Sequence, residues 1–144
     1  MKIIFMNDII IWAVSLIINF LMILLFLARA KRKEKTEYFL GIIVILCAFP
    51  MIFFSLFNFI LGREWPAYIL LIPIIIFLIL EFFFDYIYKL NFRQSRLLWL
   101  YLAFYYLGLF GLIGYAFLIS RIYGYILLVF YFLNQLATWY AHKK

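Results

Sequence analysis

Hydrophobic residues in this chain come in long runs, and short segments between the runs carry most of the charge. A helix rises about 1.5 Å per residue, so about twenty apolar residues cross the roughly 30 Å hydrocarbon core of a bilayer. The pattern therefore predicts five transmembrane helices, at about residues 9–28, 38–60, 67–88, 97–119 and 122–141. The predicted fold class is an all-α, polytopic bundle that forms a single membrane domain over residues 1–144.

Prolines, glycines and charged residues mark the ends of these runs. Gly62 suits the end of the second helix, and Pro66 suits the first turn of the third. Pro50 lies inside the second run, where a missing backbone N–H predicts a kink. The fourth and fifth runs are separated only by residues 120–124, so four spans plus a re-entrant segment is the alternative topology.

The distribution of basic residues predicts how the bundle is oriented. The net charge is +7, and with the first loop in the cytoplasm ten basic residues fall on that side and three on the other. Cytoplasmic loops of membrane proteins are enriched in Lys and Arg, so we predict the N-terminus outside and the C-terminus inside. The tryptophans agree, because Trp12 and Trp65 fall at predicted outer ends and Trp99 and Trp139 at inner ends.

The basic residues of the predicted cytoplasmic loops have two interpretations. They are Arg29, Lys31, Arg32, Lys33, Lys35, Arg93 and Arg96. The first interpretation is a topological signal, and the second is contact with anionic lipid headgroups. Their position between apolar runs argues against nucleic acid as a partner. The composition, 71% hydrophobic and rich in Ile, Phe and Lys, suggests a prokaryotic cytoplasmic membrane, with the lipid bilayer as partner.

Two carboxylates, Glu81 and Asp85, interrupt the third run, where hydrocarbon is expected. Lys89 follows Asp85 at i+4 in the favourable order, so we expect these two to pair near the membrane surface. Glu81 has no basic residue one helical turn away. It must be protonated or be reached by water or a cation, and an intramembrane carboxylate is a functional candidate by default.

The other runs also place polar groups at about the depth of Glu81. These residues are Asn19, Cys47, Tyr105, Asn134 and Gln135. On each helix the polar positions recur every three or four residues, so they share a face that we expect to turn inward. With Glu81, Asp85 and Lys89, the residues Asn19, Tyr105, Asn134 and Gln135 are our candidates for an ion or substrate pathway. The alternative is that they serve only as hydrogen-bonded contacts between helices.

Small residues and potential metal ligands complete the set of candidates. Gly108, Gly111 and Gly114 recur every three residues and predict close packing of the fourth helix on a neighbour. His142 is the single histidine and Cys47 the single cysteine, so the sequence indicates no metal site. It contains no phosphate-binding glycine loop and no hydrolase motif, and it indicates no cofactor and no catalytic residue.

Two functional hypotheses follow. The first is a small proton- or cation-coupled transporter or permease subunit in which Glu81 titrates. At 144 residues it would need a homo-oligomer or a partner membrane subunit to complete a pathway. The second is a non-transporting, lipid-interacting or assembly protein in which the polar layer is structural. A membrane enzyme is the least favoured third class.

Overall fold

The computed structural model describes residues 2–88 and 95–142. It is 89% helical and contains no strand within those residues. Five helices are long and apolar enough to cross a membrane. The predicted all-α bundle of five spans is thus confirmed, whereas the predicted orientation rests on the charge distribution alone.

The spans are numbered here in chain order. Spans 1 to 5 are Lys2–Ala30, Glu34–Ile60, Pro66–Ile87, Leu97–Ile119 and Arg121–Ala141. Spans 4 and 5 are separate helices of 23 and 21 residues, so each is long enough to cross the bilayer. The break between them is sharp because Ser120 has extended backbone (φ −165°, ψ 149°).

Span 2 is interrupted in its middle, where the sequence predicts a proline kink. Two α-helices, Glu34–Leu46 and Ala48–Ile60, meet at Cys47. Pro50 has no N–H to donate to the carbonyl of Leu46, one turn earlier, and the regular helix is lost between these two residues.

Span 3 contains two irregularities that the apolar pattern does not indicate. Its first turn, Pro66–Ile69, is separated from the helix Ile72–Glu81 at Leu70 and Leu71 because Pro73 lacks an N–H. After Glu81 the chain continues as a π-helix, Phe82–Ile87. A π-helix adds residues to each turn and is frequent at functional sites.

The spans pack around a common core in the order 1, 5, 4, 3 and 2. Fully buried side chains at the centre include Ile18 on span 1, Phe77 on span 3 and Leu109 on span 4. The packing between spans 2 and 3 is sparser, and it leaves a groove on the half nearer the loop at residues 31–33. We call this end of the bundle the first-loop end and the opposite end, at residues 61–65, the Arg63 end.

Spans 3 and 4 approach each other closely along the glycines of span 4. A Cβ on Gly108 would lie 2.9 Å from the Cα of Ile74, and one on Gly111 would overlap the carbonyl oxygen of Leu70. Gly114 has more room, with Leu70 Cδ1 3.5 Å from a Cβ placed there. Two of the three glycines therefore allow the backbones of spans 3 and 4 to approach more closely than a larger residue would permit.

Candidate functional site

Glu81 is the last α-helical residue of span 3 and is only 4% exposed. Its carboxylate accepts a hydrogen bond from the hydroxyl of Tyr101 on span 4, which is also buried. The residue therefore points into the bundle, away from lipid. Tyr101 lies one helical turn before Tyr105, the tyrosine that the sequence predicts to line the pathway.

Glu81 lies at the bottom of a polar cleft of about 200 Å³ at the first-loop end. The lining comes from the ends of spans 1, 2 and 3, and consists of Leu25, Arg29, Glu34, Glu37, Tyr38, Gly41, Glu81, Asp85 and Tyr86. Among the described lining residues Arg29 is the only cation, and the Arg29 Nε atom lies 2.7 Å from a carboxylate oxygen of Glu37. Within that part of the lining, four carboxyl groups face one guanidinium that is already paired with Glu37.

One wall of the cleft is formed by two tyrosines. The Tyr86 hydroxyl donates a hydrogen bond to the Tyr38 carbonyl oxygen at 3.0 Å, and the two ring centroids are 5.0 Å apart. Gly41 allows this contact, because a Cβ there would overlap the Tyr86 hydroxyl. The pair connects span 2 to the π-helix of span 3 and leaves aromatic surface beside the carboxylates.

Asp85 lies in the π-helix and lines the same cleft as Glu81. Its predicted partner Lys89 falls outside the described residues, as does the basic residue Arg93. The side chain of Asp85 is half-buried and acts electrostatically on Glu81. The wider π-turn also changes which residues face outward, since Tyr88, seven residues after the buried Glu81, is 65% exposed.

A second cavity, of about 340 Å³, lies on the other side of Tyr101 between spans 1, 4 and 5. Arg29 and Tyr101 both line it, and Arg29 also lines the cleft. Tyr105 belongs to this cavity and packs its ring on Phe77, with centroids 5.2 Å apart. The Tyr101–Glu81 hydrogen bond therefore separates two cavities, and Tyr105 lies on the side away from the carboxylates.

The remaining polar candidates form separate pairs. Asn134 donates its amide to Asn19 Oδ1 at 3.0 Å, which joins spans 1 and 5. Gln135 accepts a hydrogen bond from the Tyr106 hydroxyl at 3.3 Å. Cys47 is a half-buried free thiol at the break in span 2. The polar groups of similar depth thus face inward, but they do not converge on Glu81.

A buried polar network at the Arg63 end was not foreseen from the sequence. Arg63 Nη1 lies 2.5 Å from Asp8 Oδ1, and Nη2 lies 3.3 Å from Oδ2. The Tyr115 hydroxyl donates to Asp8 Oδ1 at 2.5 Å and accepts from Asn58 Nδ2 at 3.1 Å. The signal that could have revealed it is that Asp8 and Arg63 carry opposite charges at the same predicted membrane surface.

The surroundings of Arg63 favour the charged form of its guanidinium. Partial burial lowers the pKa of Arg63, but the hydrogen bond and charge of Asp8, together with Tyr115, outweigh that effect and raise the pKa above its ordinary value. The network joins span 1, the end of span 2 and the end of span 4. Its donors and acceptors satisfy one another, so its role is to fix these helix ends.

The predicted basic headgroup contacts are exposed where the structure describes them. Lys31, Arg32, Lys33 and Lys35 are all exposed at the first-loop end, and so is Arg96. Arg32 has a left-handed backbone (φ 55°), which turns the chain between spans 1 and 2. Arg29 differs from them because it turns inward to Glu37.

Comparisons with protein-family models, with curated proteins and with solved structures found no match to this chain.

Proposed function

We propose that this protein is a proton- or cation-coupled membrane permease, or a subunit of one, in which Glu81 is the exchanging group. The observation that carries the proposal is the position of Glu81 in a polar cleft at one end of a transmembrane bundle. A carboxylate held inside a membrane span is costly unless it is paired or used. Here it reaches a cleft whose described lining also contains Glu34, Glu37 and Asp85.

The surroundings of Glu81 suit alternate occupancy by a proton and a cation. The Tyr101 hydroxyl donates to the carboxylate and stabilises its charged form when no proton is bound. Glu34 also lines the cleft, and its negative charge attracts a cation and raises the local cation concentration. Because Glu81 must release a proton before it can bind a cation, and release the cation before it can bind a proton, the movement of one is coupled to the movement of the other.

The path from Glu81 toward the Arg63 end is closed by the core. Ile74, Phe77 and Leu78 precede Glu81 on span 3 and are completely buried. The described conformation is therefore accessible from the first-loop end alone. Transport would need span 3 to move against span 4, and the breaks at Leu70–Leu71 and at the π-helix are where its backbone can bend.

A second candidate function is a non-transporting assembly protein. The observation that favours it is that other polar side chains bond each other between helices, since Asn134 bonds Asn19 and Asp8 bonds Arg63. These pairs behave as contacts between helices. They do not account for the acidic cleft, which is why transport is the first proposal.

The test is flux in proteoliposomes that contain wild-type protein or Glu81→Gln. When a Na⁺ or K⁺ gradient is imposed, we expect the wild-type protein to move protons in the direction opposite to the cation. We expect Glu81→Gln to reduce this proton flux to the level of empty liposomes. Glu64→Gln is the matched control, because Glu64 is exposed at the Arg63 end. Equal flux in wild type and Glu81→Gln would remove Glu81 from the mechanism. No flux from the wild type under any of these gradients would favour the assembly function.

A further inference from the structure

Residues 48–69 form a hairpin at the Arg63 end, and a break in a span bounds this hairpin on each side. One arm is the helix Ala48–Ile60, and the other is the first turn of span 3, Pro66–Ile69. The first arm begins after the break at Cys47, and the second ends at the break at Leu70–Leu71. Each break lies a few residues before a proline that cannot donate an N–H, so the backbone can bend at both ends of the hairpin.

The two arms of the hairpin are fastened to each other. Asn58 Nδ2 donates to the Ala67 carbonyl oxygen at 3.0 Å, and Ser55 Oγ donates to the Tyr68 carbonyl oxygen at 3.3 Å. These carbonyls belong to the last turn before the break in span 3, where a helix end leaves C=O groups in need of partners. The rings of Phe59 and Tyr68 also pack edge to face, with centroids 5.3 Å apart. The hairpin can therefore move as one unit.

The remainder of span 3 is held by span 4 instead of by the hairpin. In the helix Ile72–Glu81, the Cα of Ile74 lies 2.9 Å from a Cβ placed on Gly108, so the two backbones are in close contact. On the side of the hairpin, a groove of about 570 Å³ lies between Ile52 and Leu78. Side chains interlock less in such a groove than in a packed core, so the hairpin is the more easily displaced neighbour of span 3.

The tip of the hairpin is tied to spans 1 and 4 by the network around Arg63. Arg63 Nη1 lies 2.5 Å from Asp8 Oδ1 on span 1 and 3.2 Å from the Tyr115 hydroxyl on span 4. Asn58 donates to the same hydroxyl at 3.1 Å. A charged pair at the end of a bundle can separate into water, because both groups are well solvated once apart. This connection can therefore open and close, which a packed apolar contact facing lipid cannot do in the same way.

We propose that the 48–69 hairpin is the gate that closes the Arg63 end of the bundle, and that the Arg63–Asp8 pair is its latch. This inference rests on the proposed function, because a carrier that binds at Glu81 from the first-loop end must also open toward the opposite end. The described conformation has the latch closed. When the latch separates, the hairpin bends at its two breaks and moves away from the buried part of span 3 that precedes Glu81.

The length of the hairpin sets the size of the expected movement. The helix Ala48–Ile60 has 13 residues and is about 20 Å long at 1.5 Å per residue. A rotation of about 15° at Cys47, of the size seen in rigid-body transitions of other proteins, moves the far end of this helix by about 5 Å. A displacement of about 5 Å is measurable between spin labels.

The first test measures that distance by double electron–electron resonance on the full chain in nanodiscs. All proteins carry Cys47→Ser, which removes the single native cysteine. Nitroxides are attached at Glu64→Cys, exposed at the tip of the hairpin, and at Phe20→Cys, 52% exposed on span 1. We expect one main distance with the latch intact. Asp8→Asn should add a second distance about 5 Å longer, and Arg63→Gln should do the same.

A matched label pair separates gate movement from general loosening of the bundle. It keeps Phe20→Cys and replaces the hairpin label by Leu118→Cys, which is 53% exposed on span 4 near Arg63. Spans 1 and 4 lie outside the hairpin, so this pair should keep a single distance in Asp8→Asn and in Arg63→Gln. No second distance for the hairpin pair in either latch variant, or the same change in both label pairs, would overturn the proposal.

The second test stiffens the two breaks. Pro50→Ala and Pro73→Ala restore an N–H that can bond the preceding turn, whereas the control Pro66→Ala lies in a first turn, where that N–H is not needed. We expect Pro50→Ala and Pro73→Ala each to lower proton flux in proteoliposomes about tenfold, and Pro66→Ala to match wild type. Protons released by cation binding in detergent should be unchanged in all three, because binding from the first-loop end needs no gate movement. Wild-type flux in both Pro50→Ala and Pro73→Ala would contradict the gate.

The outcomes distinguish this inference from the proposed function. Proton flux that depends on Glu81, with an unchanged hairpin distance in both latch variants, would leave the permease proposal standing and reject the gate. A second hairpin distance in the latch variants, without flux from wild type under a Na⁺ or K⁺ gradient, would support the movement of the hairpin and reject the permease proposal.

Discussion

The network at the Arg63 end gives a prediction whose size can be worked out from its contacts. Tyr115→Phe removes one hydroxyl and keeps a ring that is 2% exposed. That hydroxyl lies 2.5 Å from Asp8 Oδ1, 3.1 Å from Asn58 Nδ2 and 3.2 Å from Arg63 Nη1. The substitution therefore removes one donor to a carboxylate and one acceptor shared by two N–H groups, and it creates no cavity larger than an oxygen atom.

The expected loss in the free energy of unfolding is about 2 kcal/mol. A hydrogen bond to a charged group contributes about 1.5–3 kcal/mol in water-soluble proteins, and contacts between membrane helices reach about 1.7 kcal/mol. A loss at the upper end of this energy range is not expected. Asn58 keeps its hydrogen bond to the Ala67 carbonyl oxygen at 3.0 Å, and Arg63 keeps its hydrogen bond to Asp8. The predicted loss corresponds to about a 30-fold change in the unfolding equilibrium.

The assay is equilibrium unfolding in mixed micelles with an increasing fraction of sodium dodecyl sulfate, followed by tryptophan fluorescence. Tyr125→Phe is the matched control, because that ring is 58% exposed on span 5. Combining Tyr115→Phe with Asp8→Asn should cost less than the sum of the two single changes, since both break the same contact. A Tyr115→Phe protein within about 0.5 kcal/mol of the Tyr125→Phe control would refute the reasoning.

Three further predictions concern the packing and the cleft. Gly111→Ala should destabilise the bundle by about 1–3 kcal/mol because the added methyl group meets the Leu70 carbonyl oxygen. Gly114→Ala has room for the methyl group and should be neutral or stabilising. The same micelle titration compares the two variants. Asn134→Leu should cost about 0.6–1.7 kcal/mol in that titration through its lost bond to Asn19, with flux unchanged. Tyr101→Phe should lower proteoliposome flux about tenfold with little unfolding, since it removes the donor to Glu81. Flux like wild type in Tyr101→Phe would contradict that role.

Hydrophobic runs alone predict the number of spans, because each must match the thickness of the bilayer and must satisfy its own backbone hydrogen bonds. The same runs do not reveal that span 3 is broken before Pro73 or becomes a π-helix after Glu81. The first break follows from Pro73, which the apolar pattern alone passes over, whereas the sequence pattern carries no signal for the π-helix.

The central residue of the candidate site, Glu81, could be predicted from the sequence, but the residues that contact it could not. Glu81 stands out by charge and depth, but Tyr101 was not distinguished from the neighbouring tyrosines because the rotation of span 4 is set by the Gly108 and Gly111 contacts. The sequence predicts that Arg29 is a topological signal or a headgroup contact, because five basic residues lie together between residues 29 and 35. Only the folded chain turns it inward to Glu37 and into the wall of the cleft.

The central claim is that Glu81 exchanges a proton for a cation, and proton release tests it most directly. Purified protein in weakly buffered detergent solution is mixed in turn with Na⁺ and with K⁺, and a pH indicator records the protons released. We predict saturable release from wild type and from Glu64→Gln with at least one of these cations, and none from Glu81→Gln. Equal release from Glu81→Gln, or no release from wild type with either cation, would contradict the account.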